Sequence, residues 1–392
     1  MDSVAEKIKI IIECEVSPER DKIIGSIGKI KYKLPALGFY VVEAEPGQLF
    51  AFRGIEGVRA ARADASVMAQ SGGWHDTINA RNCPYKGAGV TIAVLDTGIS
   101  PVDDFTRPVN RIVSFMDFIN GGNEPYDDNA HGTHVSGVAA GNGISSGGRY
   151  AGIAPLAGIA AVKILSKTGS GDVSDALAGI QWIIDNKEKY NIRAANLSIG
   201  SADAGSGDPL VKAVETAWDR GIVMIIAAGN NGPARSTVTS PGISRKAITV
   251  GASDDSSPIN ASPISSMNAP RANFSGRGPT FECIVKPDIV APGYRIISCR
   301  ARSGDLSLGR AAELNFVGED YIMMSGTSMS APFVTGAAAL LCEKYPQIRP
   351  DDVKLALKRC AKKLALPKNQ QGWGLLDVGK LLSSEVTHVR RN

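Results

Sequence analysis

Four polar residues in this chain have side chains of the kinds that catalyse acyl transfer. Ser328 lies in the stretch GTSMSAP, and Asn230 ends the run AAGN. His131 opens the stretch HGTHVSG, and Asp96 begins DTG. Acyl transfer needs a nucleophile, a general base, a carboxylate that orients the base and a donor for the oxyanion. The four residue types supply these parts in that order as Ser328, His131, Asp96 and Asn230.

Ser328 is predicted to lie at or near the N-terminus of a helix. Pro332 follows four positions later, and proline is tolerated in a first helical turn because the N–H it lacks would be unbonded there. Unpaired backbone N–H groups at a helix start favour negative charge. The Ser328 N–H would then stabilise an oxyanion together with the Asn230 side chain. Taken alone, the same serine and threonine pattern also suits an ordinary helix cap.

Each of the other residues also has an ordinary structural explanation. Asp96 and Asn230 stand shortly before glycines and suit turns. His131 read alone is an ordinary histidine near a helix terminus. His134 stands one turn further along, and we predict a structural role for it. The functional interpretation therefore rests on the four residues together.

The elements that would position these residues follow an α/β pattern. From residue 90 onward, continuous apolar runs alternate with helical stretches, as expected for a mainly parallel sheet with helices on both faces. Ligands of such sheets bind beyond the carboxyl ends of strands, where Asp96 and Asn230 are predicted to lie. Strands are predicted over 90–95, 158–165, 195–199, 221–228, 246–251 and 288–291, and helices over 131–140, 172–190, 209–219, 330–344 and 350–364.

Residues 1–68 are predicted to form a separate small α+β domain, and residues 69–392 the larger domain. The order strand, helix, strand, strand, helix, strand is that of the ferredoxin-like, split βαβ arrangement. Residues 65–87 show no clear periodicity and suit a linker and processing region. The predicted strands cover 7–16, two short runs within 29–44, and 58–61, and the predicted helices cover 17–28 and 46–54.

Composition excludes several classes of protein. The 392-residue chain has a formal net charge of +4, so nothing calls for nucleic acid or an anionic membrane as a partner. No apolar stretch is long enough to span a bilayer. The N-terminus has no signal-peptide layout, and the six cysteines show no metal-binding spacing and suit reduced thiols. These features indicate the cytoplasm, although export by a non-classical route stays compatible with them.

Seven collinear segments make the chain from about residue 90 to 382 resemble the subtilisin-like serine proteases, whose triad follows the same chain order of Asp, His and Ser. Within that family the chain is similar to the intracellular alkaline, AprX-like branch. The segments are DTG at Asp96, HGTHVSG at His131, SIG at Ser198, AAGN ending at Asn230, FSGRGP at Phe274, KPDIVAPG at Lys286 and GTSMSAP around Ser328.

The resemblance implies a serine endopeptidase with Asp96, His131 and Ser328 as its triad and Asn230 as its oxyanion donor. It also implies two backbone edges that pair with an extended polypeptide substrate, and a primary specificity pocket. No acidic residue is obvious in that pocket, so we expect broad, mostly apolar specificity. The edges are Gly169, Ser170, Gly171 and Ser198, Ile199, Gly200; the pocket has Ala227, Ala228 and Gly229 on one side and Thr239 at its floor.

The resemblance further implies that the N-terminal domain is a propeptide, an intramolecular inhibitor and folding helper that the enzyme cuts off near residues 65–72. A regulatory binding module is the competing interpretation of this domain. No cofactor is required for the chemistry. Structural calcium is not supported, because the stretch AAGNGISSGGRYAG after the His131 helix has few carboxylates. The pairs Asp103-Asp104, Asp127-Asp128 and Asp254-Asp255 are predicted to be exposed turns, so no metal ligand is assigned.

Two other functions fit the same residues. A subtilase-like pseudoenzyme would regulate a partner without hydrolysis, but such proteins replace triad residues and this sequence retains all three. An esterase or a peptide ligase would use the same acyl-enzyme site on a different acceptor. Reaction with a fluorophosphonate, and the ratio of amide to ester turnover, would separate these functions from an endopeptidase.

Overall fold

The computed structural model of the chain describes residues 7–35, 38–63, 73–201, 207–253, 273–302 and 315–385. The chain divides into two compact units, residues 1–70 and residues 71–392. The predicted domain boundary after residue 68 lies outside the described residues. Within the described ranges, no helix is both long and apolar enough to cross a membrane.

The first unit is a small α+β domain with the predicted order of elements. Its four strands form an antiparallel sheet in the order β2-β3-β1-β4. One face of the sheet supplies a core of apolar side chains that pack against Ile24 and Phe52 of the two helices. Ser17 caps the first helix by accepting the Arg20 N–H. The elements are β1 Ile8–Glu13, β2 Lys29–Leu34, β3 Phe39–Ala44, β4 Ala60–Ala63, the helices Pro18–Ile27 and Leu49–Arg53, and the 3-10 turn Pro46–Gln48.

The second unit is built on a seven-stranded sheet, and every pairing in it is parallel. The strand order is β11-β10-β9-β8-β5-β7-β6, which places β5 and β8 in the interior of the sheet. Every residue of β5 is buried, as a strand covered on both faces should be. The strands are β5 Thr91–Asp96, β6 Ile112–Asp117, β7 Gly158–Lys163, β8 Ile192–Leu197, β9 Val223–Ala227, β10 Ile248–Ser253 and β11 Ile289–Pro292.

Two pairs of helices pack against this sheet. His131–Ala140, the histidine helix, packs on Thr327–Lys344, the serine helix, while Val173–Asp185 packs on Pro209–Asp219. Almost the whole serine helix is buried, because it packs against five strands of the sheet. The other helices are Gly73–Thr77, Asp103–Thr106, Lys187–Tyr190, Pro350–Cys360, Lys368–Gln371 and Val378–Ser383, with a 3-10 turn at Ile144–Ser146.

The α/β fold class is confirmed, but some elements differ from the prediction. Strand β6 and a separate antiparallel sheet, in the order β12-β14-β13, were not predicted. Strand β6 lies at the edge of its sheet and is mostly half-buried, and the strands of the small sheet have two to four residues, so none has a clear apolar period. The small sheet consists of β12 Ile296–Cys299, β13 Phe316–Val317 and β14 Tyr321–Met324.

Three helix boundaries also differ. The predicted helix over 172–190 breaks at Asn186, whose side chain donates to the Trp182 carbonyl at 2.9 Å and so competes with helical hydrogen bonding. The predicted helix over 330–344 already begins at Thr327. The last long helix ends at Cys360 rather than at residue 364.

Candidate active site

Asp96 is the last residue of β5, and its side chain is fully buried. One carboxylate oxygen, Oδ1, accepts the Thr97 N–H at 2.7 Å and lies 2.7 Å from His131 Nδ1. A carboxylate that accepts from Nδ1–H fixes the imidazole tautomer and leaves Nε2 free to accept a proton. The end of the central strand therefore sets the orientation of the histidine ring.

His131 is the first residue of the histidine helix, and that helix start lies against the Asp96 turn. A Cβ added at Gly132 would clash with the Gly98 carbonyl oxygen and lie 3.2 Å from Asp96 Cβ, so this approach needs glycine. Asp127, which precedes the helix, caps its N-terminus, since Asp127 Oδ2 accepts the Thr133 N–H at 2.8 Å. Gly132 and Thr133 thus position the start of the helix, while His131 supplies the imidazole.

Burial and charge act on the pKa of His131 in opposite directions. Burial lowers this pKa, whereas the charge of Asp96 and the hydrogen bond to it raise the pKa, and the net result is a pKa above the ordinary 6.5. About a quarter of the His131 side chain is exposed, whereas Asp96 is fully buried. The imidazole can therefore exchange protons with a bound substrate while its carboxylate partner stays dry.

Ser328 is the second residue of the serine helix and is half-buried. It lines a cavity of about 630 Å³ together with His131 and Asn230. Within the described part of the chain, no hydrogen bond joins the Ser328 hydroxyl to His131, and the Ser328 N–H has no recorded acceptor. Catalytic hydrogen bonds are often long before substrate binds. The cavity therefore brings a hydroxyl, an imidazole and an unpaired backbone donor to one place.

The orientation of the Asn230 amide follows from its partner. Its Oδ1 accepts the Thr327 N–H at 2.9 Å and the Thr327 hydroxyl at 3.0 Å. Because a backbone N–H can only donate, the oxygen of the amide must face Thr327. The NH₂ group is left to donate into the cavity that Asn230 lines. The start of the serine helix thus holds the second oxyanion donor in place.

The backbone carbonyl of Ser328 has a partner outside its own helix. Pro332 lies inside the serine helix, and since proline has no N–H, the carbonyl four residues earlier loses its helical donor. That carbonyl belongs to Ser328, and the Ser198 hydroxyl donates to it at 3.3 Å. Ser198 in turn accepts the Asn196 Nδ2–H at 2.8 Å. A buried chain of hydrogen bonds therefore ties the end of β8 to the candidate nucleophile.

Sequence reasoning did not single out Asn196 or Lys163, and no local pattern marks either residue. Lys163 ends β7 and is fully buried. Its ammonium group donates to Thr97 O at 2.6 Å, Leu165 O at 2.9 Å and Asp128 Oδ1 at 2.7 Å. One cation thus joins the turn after Asp96, the loop after β7 and the segment that leads into the histidine helix.

The predicted substrate-binding residues fall into two groups. The segments 169–171 and 198–200 line one cavity of about 290 Å³, so the structure brings the two backbone edges together. Ala227 ends β9, and the Thr239 N–H donates to Ala228 O at 3.2 Å. A Cβ added at Gly229 would lie 2.7 Å from the Thr239 hydroxyl. The Thr239 side chain therefore occupies the space beside Gly229, as a pocket floor would.

His134 has the surroundings of a structural residue. It is fully buried, and its Nε2–H donates to Ile296 O at 2.9 Å. Burial lowers the pKa of His134 to about 3, so the ring is neutral at physiological pH. It ties the histidine helix to strand β12.

The prediction that the acidic pairs are exposed turns was wrong for two residues. Asp104 is 1% exposed, and its carboxylate accepts the N–H groups of Gly143 and Ser145 and the Tyr321 hydroxyl. Asp127 is fully buried under the histidine helix. Both carboxylates organise loops, which sequence periodicity does not reveal. Asp254-Asp255 lies outside the described residues, and within those described no group of three or more metal-ligating side chains is found.

Comparisons with known proteins agree on one family. Residues 87–374 match the Subtilase family. The chain is 46% identical to serine protease AprX of Bacillus subtilis over 280 residues, which are 69% of this chain and 61% of that protein. It is 35% identical to subtilisin Savinase of Lederbergia lenta over 298 residues, 76% of this chain and 92% of that protein.

A solved structure supports the same assignment at the level of the fold. The crystal structure of a cold adapted subtilisin-like serine proteinase superposes with a TM-score of 0.57 and 29% identity, covering 76% of this chain and 91% of that one. The family match covers well over half of the chain, and it contains Asp96, His131, Asn230 and Ser328. The chain belongs to the subtilase family, the subtilisin-like serine proteases.

Proposed function

We propose that this protein is a serine endopeptidase that hydrolyses peptide bonds through an acyl-enzyme at Ser328. The observation that carries the proposal is the Asp96–His131 pair, 2.7 Å apart, opening on a cavity that also holds Ser328 and Asn230. Family membership supports the same reaction. Broad, mostly apolar specificity remains a proposal that rests on the pocket beside Thr239.

The proposed reaction transfers one proton through His131 in each of its two halves, acylation and deacylation. His131 Nε2 accepts the proton of the Ser328 hydroxyl as that oxygen attacks the scissile carbonyl, and Asp96 stabilises the imidazolium. The Ser328 N–H and the Asn230 NH₂ group bind the oxyanion. His131 then gives this proton to the leaving amine as the peptide C–N bond breaks. In the second half of the reaction His131 accepts a proton from water as the water attacks the acyl-enzyme, and it returns that proton to Ser328 as the ester bond breaks. The chain of Asn196, Ser198 and the Ser328 carbonyl holds the nucleophile for this attack.

Polypeptide substrate is proposed to bind as an added strand between the segments 169–171 and 198–200, where main-chain hydrogen bonds give affinity. The cavity that these segments share supports this binding mode. Residues before the scissile bond would occupy it, and the side chain next to the bond would enter the pocket floored by Thr239.

The N-terminal unit is proposed to act as a propeptide that the enzyme removes from its own precursor. Its ferredoxin-like fold and its separation from the second unit support this role. We further propose a cytoplasmic location, which the six free cysteines support.

The test compares the wild type with Ser328→Ala after expression of the full chain. We expect Ser328→Ala to fold, to lose peptide hydrolysis by about 10⁶-fold, the magnitude found for this kind of substitution in subtilisin itself, and to remain uncut between the units. Intact-mass spectrometry reports the cleavage bond, and peptide turnover reports the activity. Normal maturation of Ser328→Ala, free of other proteases, would remove Ser328 from the mechanism.

A fluorophosphonate label separates the endopeptidase from a pseudoenzyme, because only an activated serine reacts with it. The wild type should label at Ser328, and Ser328→Ala should not. Labelling together with turnover of esters but not of peptides would point instead to an esterase.

A further inference from the structure

The cavity on the leaving-group side of the site contains a fixed positive charge. Arg295 lines the same 630 Å³ cavity as His131 and Ser328. The segments 169–171 and 198–200 are proposed to hold the substrate before the scissile bond. They line a different cavity, whose lining includes none of these three residues. A chain that passes Ser328 from that cavity must place the residues after the scissile bond in the cavity of Arg295.

The backbone of Arg295 is held by the segment before the serine helix, and its guanidinium makes one weak contact. Its backbone has a positive φ of 55°, and its N–H donates to the Ser325 hydroxyl at 2.9 Å. Its Nε–H donates to Met323 Sδ at 3.3 Å. The thioether sulfur of Met323 is a weak acceptor for this Nε–H group. Among the described residues, no carboxylate pairs with the two terminal NH₂ groups of Arg295.

The charged groups on the described wall of the cavity have one sign. Its described lining contains no Asp or Glu, and Arg295 is its one permanently charged side chain. His131 must be neutral to act as a base. A concave, partly desolvated wall strengthens an ion pair relative to open water. A guanidinium is also the side chain best shaped to receive a carboxylate through two parallel hydrogen bonds.

We propose that Arg295 is a specificity-determining residue that selects polypeptides with an acidic side chain within the first three residues after the scissile bond. The proposal rests on the proposed endopeptidase function and adds to it the chemistry of the leaving half. The pocket near Thr239 is proposed to select the side chain before the scissile bond. The preference for that side chain and the preference for an acidic residue after the bond are therefore independent. Substrates with basic leaving halves are disfavoured by the same charge.

The test uses quenched fluorescent peptides with one common acyl half and Glu, Gln or Lys at the first, second or third position after the scissile bond. Mass spectrometry identifies the bond that is cut. For the mature wild type we expect kcat/KM to be about fivefold higher for Glu than for Gln at one position at least, and lower for Lys than for Gln. The preference should shrink toward unity in 1 M salt, because screening weakens exposed ion pairs.

Three variants make the assignment specific. Arg295→Gln should remove the preference, so that the Glu and Gln peptides have equal kcat/KM values, and Arg295→Glu should invert it in favour of Lys. Arg300→Gln is the matched control, since it removes the same charge from a residue that lies over the Phe316 ring and does not line the cavity. Arg300→Gln should keep the wild-type preference.

The outcomes separate this proposal from the proposed function. If no peptide is cut, the endopeptidase function itself fails. If all peptides are cut but acidic leaving halves give no advantage, or if the advantage survives Arg295→Gln, the role of Arg295 is overturned and the endopeptidase stands.

Discussion

At the scale of single residues, the site works through fixed orientations of donors and acceptors. Asp96 uses one oxygen for both Thr97 and His131, and Thr327 fixes the amide of Asn230. Thr97 directly follows Asp96 in sequence, whereas Thr327 directly precedes Ser328 and reaches Asn230 from a distant segment. The chemistry therefore follows from local backbone geometry at two strand ends and two helix starts.

The pKa of His131 gives a prediction about pH. Since the base must be neutral, kcat/KM should rise with pH through a pKa above 6.5, the direction that Asp96 imposes. Asp96→Asn should reduce kcat by about 10⁴-fold through the wrong tautomer. It should also lower the His131 pKa, because burial then acts without the charge and the hydrogen bond of Asp96. Imidazole NMR titration of Ser328→Ala, with and without Asp96→Asn, measures both values, and an unchanged pKa would contradict this account.

At the scale of elements, three strand ends and two helix starts are joined by side chains that do not touch the substrate. Lys163 connects segments after β5 and β7 to the segment before the histidine helix. Asn196 connects β8 to the serine helix, and Thr335 donates to its Oδ1 at 3.0 Å. These buried polar groups have their hydrogen bonds satisfied, so removing either one leaves partners unpaired.

Asn196→Asp tests whether the support of the Ser328 carbonyl matters for rate. The carboxylate cannot donate to Ser198, so the Ser198 hydroxyl should donate to it instead and release the Ser328 carbonyl. We expect kcat to fall by about tenfold, because small displacements of a nucleophile are costly, with KM changed less than twofold. Thr335→Ser retains the hydroxyl donor and serves as the control. An equal change in kcat for both variants would argue against the chain of hydrogen bonds.

Lys163→Met should destabilise the second unit by about 3 kcal/mol, since it removes one member of a mostly buried ion pair and strips two carbonyls of their donor. Lys246→Met is the matched control. Lys246 forms an equally short pair with Asp219 at 2.6 Å, but both side chains are about half exposed, so its loss should cost less than about 1 kcal/mol. Urea unfolding in the Ser328→Ala background measures both without autolysis. Similar losses for the two variants would contradict a special role for Lys163.

At the scale of the whole molecule, a buried carboxylate organises the stretch after the histidine helix. Asp104 anchors that stretch through the N–H groups of Gly143 and Ser145. We therefore expect a chelator to change the melting temperature of Ser328→Ala by less than about 2 °C, which is less than about 1.5 kcal/mol for a domain of this size. Calorimetry with EDTA, and then with excess calcium, measures the shift. A fall of 5 °C or more that calcium reverses would show a structural metal site.

The sequence predicted the parallel sheet and the strand-end positions of Asp96 and Asn230, because long apolar runs and the polar residues that end them are local features. It placed the start of the serine helix three residues late, since it treated Pro332 as a first-turn residue when the helix accommodates proline further in. It missed strand β6 and the three-stranded sheet, where apolar periods are short. The partners of Lys163 and Asp104 were also missed, because they come from segments far apart in the chain.

The sequence by itself determined the residue types of the site, the order of the main strands and helices, and the family to which the chain belongs. These depend on composition and local pattern, which can be read along the chain. Only the tertiary structure decided which segments meet: the carbonyl freed by Pro332 against Ser198, the ammonium of Lys163 among three loops, and Arg295 in the cavity that Ser328 lines. Hydrogen bonds and charges act over a few ångströms in space, and distance along the chain does not fix distance in the fold.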